Sequence, residues 1–421
     1  MKKLEYMIAI MLVGLIVCFS VGQLKGIHNQ REKKPAQTAV KSKQTKITPL
    51  AQAKLDCQQY NYAKSLKAIA NDDSTSANAL KKEIKASESN LVTWQDPSKY
   101  SHLFFHSLIV DPVRAFTSKK GQGYKDYMVT TGEFNKILTQ LYAKGYVLVN
   151  SERLVKKNDK GELVFDGVSL PKGKTPLVLS QDDVNYYEYM INSGFASKLL
   201  ATKNGVKNEY ITANGKKSVG NYDLVPIVDQ FIKEHPDFSY RGDKGTLALT
   251  GYNGVLGYRT SVSQYGNTAK TKRETKKALA VVKALKADGW NFASHSWGHL
   301  DMKASSVADV KLDSDRWEKE VKPIVGQTNI LIFPFGADIG DWQGYQDNNE
   351  KFAYLRKKGF EIFENVDASH TSWGEMTTKY YRQARINVDG IRMTDDLNGT
   401  NTVLDPFFNT SEVIDRTNRN K

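Results

Sequence analysis

Short apolar runs alternate with amphipathic stretches along most of the chain after Trp94. A continuous apolar run of about five to eight residues predicts a buried strand, and apolar residues at every third or fourth position predict a helix. The pattern gives seven strands, at 103–110, 146–150, 176–180, 246–251, 291–295, 329–335 and 360–366, with helices between them at 131–144, 222–234, 272–288, 314–322 and 348–358. Strands that alternate with helices form a parallel sheet, and about seven such units favour closure of that sheet. We therefore predict an α/β fold, a distorted (β/α)7 TIM-like barrel, within residues 95–421.

The first 22 residues have the pattern of a signal anchor, a transmembrane segment. Lys2 and Lys3 precede a 17-residue apolar run, Tyr6 to Gly22, which is just long enough to span a bilayer. The small residues Ser20-Val21-Gly22 also fit a signal-peptide cleavage site. Both interpretations place the rest of the chain outside the membrane, either anchored by a single span or secreted.

Two further segments precede the predicted barrel. Residues 23–48 are rich in Lys, Gln and Thr and predict a flexible basic tether. In residues 49–94, apolar positions recur at helical spacing on either side of the breaker Asp72-Asp73-Ser74-Thr75. This predicts a short α-helical hairpin, with a weak resemblance to one tetratricopeptide repeat and the role of a spacer.

Composition and charge exclude some functions and some kinds of site. The chain has 421 residues, 40% of them hydrophobic, which is enough for a large core. The formal net charge is +14, and residues 23–93 hold 13 Lys and Arg against 6 Asp and Glu. This surplus suits a solvated tether or contact with anionic phospholipid or wall polymer, and no nucleic-acid motif accompanies it, so we expect no nucleic-acid partner. Only Cys18 and Cys57 occur, so thiolate ligands and a disulfide framework are excluded from the barrel region.

Two histidines and two aspartates stand directly at the ends of predicted strands. His295-Ser296-Trp297-Gly298-His299 ends the strand 291–295, and its two imidazoles can converge on one cation. Asp182 and Asp183 end the strand 176–180, where adjacent side chains point in different directions. One carboxylate can therefore bind a metal while the other stays free. Taken singly, the histidines are equally consistent with a strand cap and a solvated side chain, and the aspartates with a helix N-cap.

A third motif, Pro334-Phe335-Gly336, closes the strand 329–335. Its turn can point a backbone N–H into the mouth of a barrel. The order of the three motifs, each at a strand end, is the most specific feature of the sequence.

These residues resemble the polysaccharide deacetylases, the NodB homology domain of carbohydrate esterase family 4. Ser180-Gln181-Asp182-Asp183-Val184 resembles the first motif of the family, T-F-D-D-G, and His295, Ser296 and His299 match the second, H-[ST]-x-x-H. Pro334-Phe335-Gly336 matches the end of the third motif, R-x-P-[YF]-G. The resemblance covers residues 100–395.

The departures from the family pattern favour one branch of it. Ile332 stands where many members carry Arg, and residues 385–390 replace a motif that supplies a late His. Exopolysaccharide deacetylases, including those acting on poly-N-acetylglucosamine, often lack that Arg and have an early strand that ends in His. This chain looks like that branch, because Phe104-Phe105-His106 ends its first predicted strand. His106 is then the candidate acid, with His370, Asp389 and Arg385 as weaker candidates.

The resemblance implies a metal-dependent hydrolase that removes acetyl groups from an N-acetylated polysaccharide outside the cell, either peptidoglycan or poly-N-acetylglucosamine. Asp183, His295 and His299 would hold a divalent metal, Zn²⁺ as first choice. The remaining implied roles are a base, Asp182; an acid, His106; an oxyanion donor, the Phe335 N–H; and substrate contacts, Trp297, Pro334 and Tyr186.

Two alternatives to an enzyme remain open at the level of the sequence. The first is a degenerate carbohydrate- or wall-binding barrel without catalysis, because Val184 and Ile332 depart from the family pattern. The second is an interaction scaffold that uses the helical hairpin at 49–94.

Overall fold

The computed structural model describes residues 47–419. The predicted signal anchor over 1–22 lies outside the described residues, as does the predicted tether over 23–48 except for its last two residues. Of the helices in the described part of the chain, none combines the length and the apolar character needed to cross a membrane.

Sixteen strands, most of them short, occur in the described residues. In chain order they are β1 (Leu91–Trp94), β2 (Ser101–Phe105), β3 (Tyr146–Leu148), β4 (Val155–Lys157), β5 (Leu163–Phe165), β6 (Val168–Pro171), β7 (Thr175–Gln181), β8 (Ala196–Thr202), β9 (Gly205–Ile211), β10 (Lys217–Gly220), β11 (Gly245–Leu249), β12 (Trp290–Ser294), β13 (Ile330–Ile332), β14 (Ile362–Val366), β15 (Gly374–Met376) and β16 (Tyr381–Asn387).

Seven of these strands close into a parallel barrel. The ring runs through β2, β7, β11, β12, β13, β14 and β16 and returns to β2, with parallel pairing throughout. The ring closes at β7, which pairs with β3 near its amino end and with β11 near its carboxyl end. The predicted seven-stranded barrel is confirmed.

One ring strand differs from the predicted set. The predicted strand at 146–150 is β3, which lies beside the ring, and the seventh ring strand is β16, which the apolar pattern did not predict. Arg382, Gln383 and Arg385 of β16 are almost completely buried. Charged side chains are rarely buried, so this strand looks like a surface segment in the sequence although it forms part of the core.

Helices surround the barrel and cover the amino ends of its strands. In chain order they are α1 (Pro49–Gln58), α2 (Tyr62–Ala68), α3 (Thr75–Glu88), α4 (Pro112–Phe116), α5 (Gly121–Tyr127), α6 (Thr131–Ala143), α7 (Leu224–Glu234), α8 (Val262–Tyr265), α9 (Ala269–Ala287), α10 (Val307–Glu320), α11 (Lys322–Val325), α12 (Glu350–Lys357), α13 (Gly390–Leu397), α14 (Thr410–Val413) and α15 (Arg416–Arg419). Polar caps set their starts, as where Thr130 and Glu133 form a capping box at α6. The five predicted helices correspond to α6, α7, α9, α10 and α12.

Residues 49–88 form three helices, α1 to α3, where the sequence predicts two. The Tyr60 hydroxyl donates to the Asp237 carbonyl at 2.7 Å, and the Arg241 N–H donates to the Gln59 carbonyl at 2.8 Å. Both partners precede β11, so the helices cover the amino ends of the barrel strands. Their apolar side chains share one core with residues of the barrel strands, including Ala53, Ile69, Ile84, Val178, Ala248 and Ile330.

Candidate functional site

The polar motifs meet at the carboxyl ends of the barrel strands, the end opposite to α1–α3. Asp182 and Asp183 follow β7, His295 follows β12, and the turn 334–336 follows β13. Parallel strands bring such positions together at one edge, which is where TIM-like barrels carry their active sites.

Three of these side chains form a candidate metal site. One ligand atom from each of Asp183, His295 and His299 lies within 4.8 Å of the others. The His299 Nε2 is 3.8 Å from Asp183 Oδ2, and the two imidazole ring centroids are 4.9 Å apart. Two imidazoles and one carboxylate are a donor set typical of Zn²⁺ with a position left open for water.

Unusual backbone conformations produce this convergence. Asp183, Ser296, His299 and Phe335 have φ angles of 59°, 56°, 55° and 60°, in the left-handed region that side-chain-bearing residues rarely occupy. Each such residue costs about 1–3 kcal/mol, and they cluster at functional sites. Two of the three candidate ligands and the turn beside them therefore include strained residues.

Neighbouring groups orient the candidate ligands. His295 Nδ1 lies 2.9 Å from the Ile332 carbonyl, to which it can donate, and this leaves Nε2 as the lone pair that faces the site. The Tyr187 hydroxyl donates to Asp183 Oδ1 at 2.5 Å and lies 2.8 Å from Thr250 Oγ1. Oδ2 of Asp183 is therefore the oxygen directed at His299.

The protonation states suit a cation. Burial lowers the pKa of His299 to about 4, so its imidazole is neutral at neutral pH. Burial alone would raise the pKa of Asp183, but attraction from His299 and His295 outweighs it and holds the pKa below its usual value. Neutral imidazole and ionised carboxylate are the forms that bind metal, so the residues present fit a divalent ion.

Asp182 lies beside this set in a bidentate ion pair with Arg385. Arg385 Nη1 and Nη2 donate to the two Asp182 oxygens at 2.8 and 3.0 Å, and both residues are buried. Burial raises the pKa of Asp182, but Arg385 and His295 together lower it well below its usual range. The carboxylate is thus ionised at neutral pH and held in one orientation, with Oδ2 3.9 Å from His295 Nε2.

His106 follows β2 at the same end of the barrel and is half-buried. Electrostatic interaction with His106 contributes to lowering the pKa of Asp182 and of Asp183. The weaker candidates have other environments. Asp389 caps α13 through the Arg392 N–H at 2.8 Å, and the side chain of His370 is 71% exposed.

The turn 334–336 contributes one exposed residue. Phe335 is 51% exposed, and its ring meets the His299 ring edge-to-face with centroids 4.4 Å apart. Pro334 is buried beneath it. Of the two, Phe335 has the side chain that a ligand can reach.

Two residues predicted to contact substrate form hydrogen bonds with other side chains of the protein. Tyr186 is 2% exposed, and its hydroxyl donates to Asp223 Oδ2 at 2.7 Å, so a sugar ring cannot stack on it; the prediction for Tyr186 is corrected here. Trp297 is partly buried, donates from Nε1 to Glu320 Oε2 at 3.0 Å, and has the Arg316 guanidinium 4.4 Å from its ring centroid.

The sequence does not predict two residues of the site, Tyr187 and Thr250. It predicts a third, Arg385, only as a weaker candidate for the acid. Ile332 is the signal in the sequence that points to Arg385. It stands where the third motif usually has Arg, so the base needs an arginine partner from elsewhere in the chain. For Tyr187 the sequence has no such signal, since the left-handed Asp183 and Tyr186 reverse which neighbour faces the pocket.

Replacing Tyr187 by Phe is expected to weaken metal binding to the metal-free protein about 10- to 100-fold, because loss of a group that orients a ligand has that effect in known sites. Competition with a chromogenic chelator measures it. Tyr189→Phe is the matched control, because the Tyr189 ring stacks on that of Tyr187 at 5.4 Å. Equal affinities of the two variants would contradict the role of the Tyr187 hydroxyl.

Polar side chains continue from Arg385 into the barrel interior. Ser180 Oγ lies 3.3 Å from Arg385 Nη1 and 2.8 Å from His102 Nε2, and His102 Nδ1 lies 3.1 Å from Gln383 Oε1. Burial lowers the pKa of His102 well below its usual value. The interior under the site is therefore a hydrogen-bonded network with a neutral His.

Glu364 is the titrating member of this interior at neutral pH. Burial raises its pKa to about 7, and Ser151 Oγ donates to its Oε1 at 2.6 Å. The unfolded chain releases this proton near pH 4.5, so the folded state holds the extra proton between about 4.5 and 7 and loses stability as pH rises through that window.

Glu364→Gln removes this titration. We expect its free energy of unfolding, relative to the unaltered protein, to rise by about 3 kcal/mol between pH 4.5 and pH 8. Urea unfolding at the two pH values measures the change. Parallel pH dependence of the two proteins would show that Glu364 does not titrate in this window.

Comparison with known proteins gives distant structural similarity only. Neither a protein-family model nor a curated protein matches the chain. Among solved structures, it is similar to the Streptococcus pyogenes deacetylase PplD in complex with acetate, with a TM-score of 0.40 and 13% identity over 72% of this chain and 99% of that one. It is also similar to a mutant CE4 family pseudoenzyme with restored enzymatic activity, with a TM-score of 0.23 and 9% identity over 50% of this chain and 86% of that one.

Proposed function

We propose that this chain is a metal-dependent hydrolase that removes acetyl groups from N-acetylglucosamine-containing polysaccharide. The observation that carries the proposal is the convergence of Asp183, His295 and His299 within 4.8 Å, beside a buried aspartate held in its ionised form. A general base next to a three-ligand metal site is an arrangement suited to the hydrolysis of an amide. The sequence motifs that resemble polysaccharide deacetylases supply the substrate class.

Each side chain has a part in this chemistry. A divalent cation bound by Asp183, His295 and His299, Zn²⁺ as first choice, would make water acidic enough to attack an acetyl carbonyl at neutral pH. Asp182 accepts the proton of the attacking water, with Arg385 fixing its direction. The Phe335 N–H donates to the developing oxyanion, a type of interaction that lowers the barrier by about 3–4 kcal/mol.

His106 completes the proposed mechanism by protonating the departing amine nitrogen. Its place after β2, at the same end of the barrel and within electrostatic reach of Asp182, supports this role. The early His and the missing Arg at Ile332 also support assignment to the exopolysaccharide branch of the family.

The substrate and the cellular location belong to the same proposal. The predicted anchor at residues 1–22 would place the barrel outside the cell, attached to the membrane or secreted after cleavage. The polymers within reach there are peptidoglycan and poly-N-acetylglucosamine. Trp297 stays proposed as part of the groove wall. Pro334 is buried, and Phe335 offers the exposed ring beside the ligands in its place.

Acetate release tests the proposal. The metal-loaded protein is expected to release acetate from chitooligosaccharides, and removal of the metal with a chelator is expected to stop the release until Zn²⁺ is restored. Carbohydrate binding without acetate release under Zn²⁺, Co²⁺ and Mn²⁺ would favour the alternative, a non-catalytic carbohydrate-binding barrel.

A further inference from the structure

One helix accounts for the net positive charge of the barrel region. From residue 94 to the C-terminus, the chain has no net formal charge outside 269–287, whereas these residues hold seven Lys and Arg and one acid. They form α9, on the outside of the barrel. The acid, Glu274, pairs with Lys277 at 2.8 Å.

The other six cations form an exposed surface, called here the basic ridge. All six side chains are exposed, and none forms a salt bridge with another described residue; they are Lys270, Lys272, Arg273, Lys276, Lys283 and Lys286. Lys270 and Lys286 are 16 residues apart, so the ridge is about 24 Å long at the helical rise.

This arrangement is unfavourable for the isolated helix. Lys272 and Lys276 are four positions apart and Arg273 and Lys276 three, and like charges at these spacings repel. The first turn of α9 has no acidic residue and includes Lys270 and Lys272, although the positive end of the helix dipole favours anions there. A bound polyanion would relieve both effects.

We propose that the basic ridge is a docking surface for a linear polymer, other than a nucleic acid, that carries phosphate groups; no nucleic-acid motif accompanies the charge. Lysine ammonium groups are point charges that donate hydrogen bonds to phosphate oxygens from many directions, so a flexible chain can follow the ridge without a fixed register. This goes beyond the deacetylase proposal, because the surface would hold the protein on a polyanion whatever the site hydrolyses.

A polymer fits the ridge better than a bilayer does. Helices that bind bilayers bury an apolar face in the lipid, and the apolar face of α9 is already packed against the barrel through Ala278, Val281, Val282 and Leu285. Leu279 is the one large apolar side chain exposed on this helix. The remaining attraction is electrostatic and lies along the exposed side of one helix, which suits a chain.

Charge reversal on the full-length protein tests the proposal, with long-chain polyphosphate as the probe. K272E/K276E/K283E is expected to weaken polyphosphate binding at least about tenfold and to reduce its dependence on salt concentration. The matched control is K119E/K160E/K172E, which reverses three exposed lysines elsewhere on the barrel and should weaken binding less than threefold. K272A/K276A/K283A removes the three positive charges without adding acid and should give an intermediate loss of binding. It replaces the glutamate variant if the glutamates disturb folding.

Three readouts decide the outcome. Equal weakening by the two glutamate triple variants would overturn the proposal, because net charge alone would then explain binding. A larger loss of binding to vesicles of equal phosphatidylglycerol and phosphatidylcholine than to polyphosphate would also overturn it in favour of a membrane surface. Acetate release from uncharged chitooligosaccharides should be the same in all three variants, which separates this test from that of the proposed function.

Discussion

Asp182→Asn is expected to lower kcat for acetate release about 10²- to 10⁴-fold, the usual contribution of a positioned general base. Asparagine keeps the shape of the side chain but cannot accept the proton of the attacking water. Metal affinity should change little, because the candidate ligands are Asp183, His295 and His299. Acetate assays with the metal-saturated variant, together with a metal titration, measure both quantities.

The control for this variant must account for stability, because Asp182→Asn also leaves Arg385 buried without a carboxylate. Asp243→Asn provides it: Asp243 forms a bidentate pair with Arg153 at 2.5 and 2.6 Å, and it precedes β11, away from the carboxyl ends of the strands. The control should lose stability and keep its kcat. A drop in kcat of the same size in both variants would remove Asp182 from the role of base.

The barrel could be predicted because six of its ring strands lie in stretches that are mainly apolar. Such stretches, bounded by polar or glycine residues, are the signal that buried parallel strands give, and single buried polar residues such as His102, Ser180 and Glu364 do not hide it. β16 could not be predicted in this way, since its inward side chains include Gln383 and Arg385. What places these two side chains in the core is the partner of each: Gln383 meets His102 of β2 and Arg385 meets Ser180 of β7, and both partners lie far away in the sequence.

The same limit applies to the site. The rule that active residues follow parallel strands was sufficient to select Asp182, Asp183 and His295 from the sequence. The assignment of Tyr186 to the substrate groove was wrong because alternation does not hold through a turn with left-handed residues. Tyr187 turns toward Asp183 and Tyr186 turns into the core toward Asp223, an outcome set by backbone angles that residue types alone do not reveal.

Arg385→Met is expected to destabilise the protein by about 3–5 kcal/mol at neutral pH, because removal of one partner leaves a buried charge uncompensated. Arg385 is completely buried, and methionine fills a similar volume without a charge. The loss should shrink at acid pH. In the variant, Arg385 no longer lowers the pKa of Asp182, so burial raises that pKa. Asp182 then becomes protonated as pH falls, and the unpaired buried charge disappears. Urea unfolding at pH 7 and pH 4.5 measures the difference.

The double variant D182N/R385M separates an ion pair from two independent contributions. With both charges absent, neither group is left uncompensated, so the double variant should be more stable than the sum of the two single losses implies. A loss equal to that sum would mean that Asp182 and Arg385 act independently, contrary to the bidentate geometry. Activity should stay low in all three variants, because Arg385 matters to hydrolysis only through the carboxylate that it orients. A single Arg385→Met variant with unchanged kcat would show that Asp182 keeps its direction without this arginine.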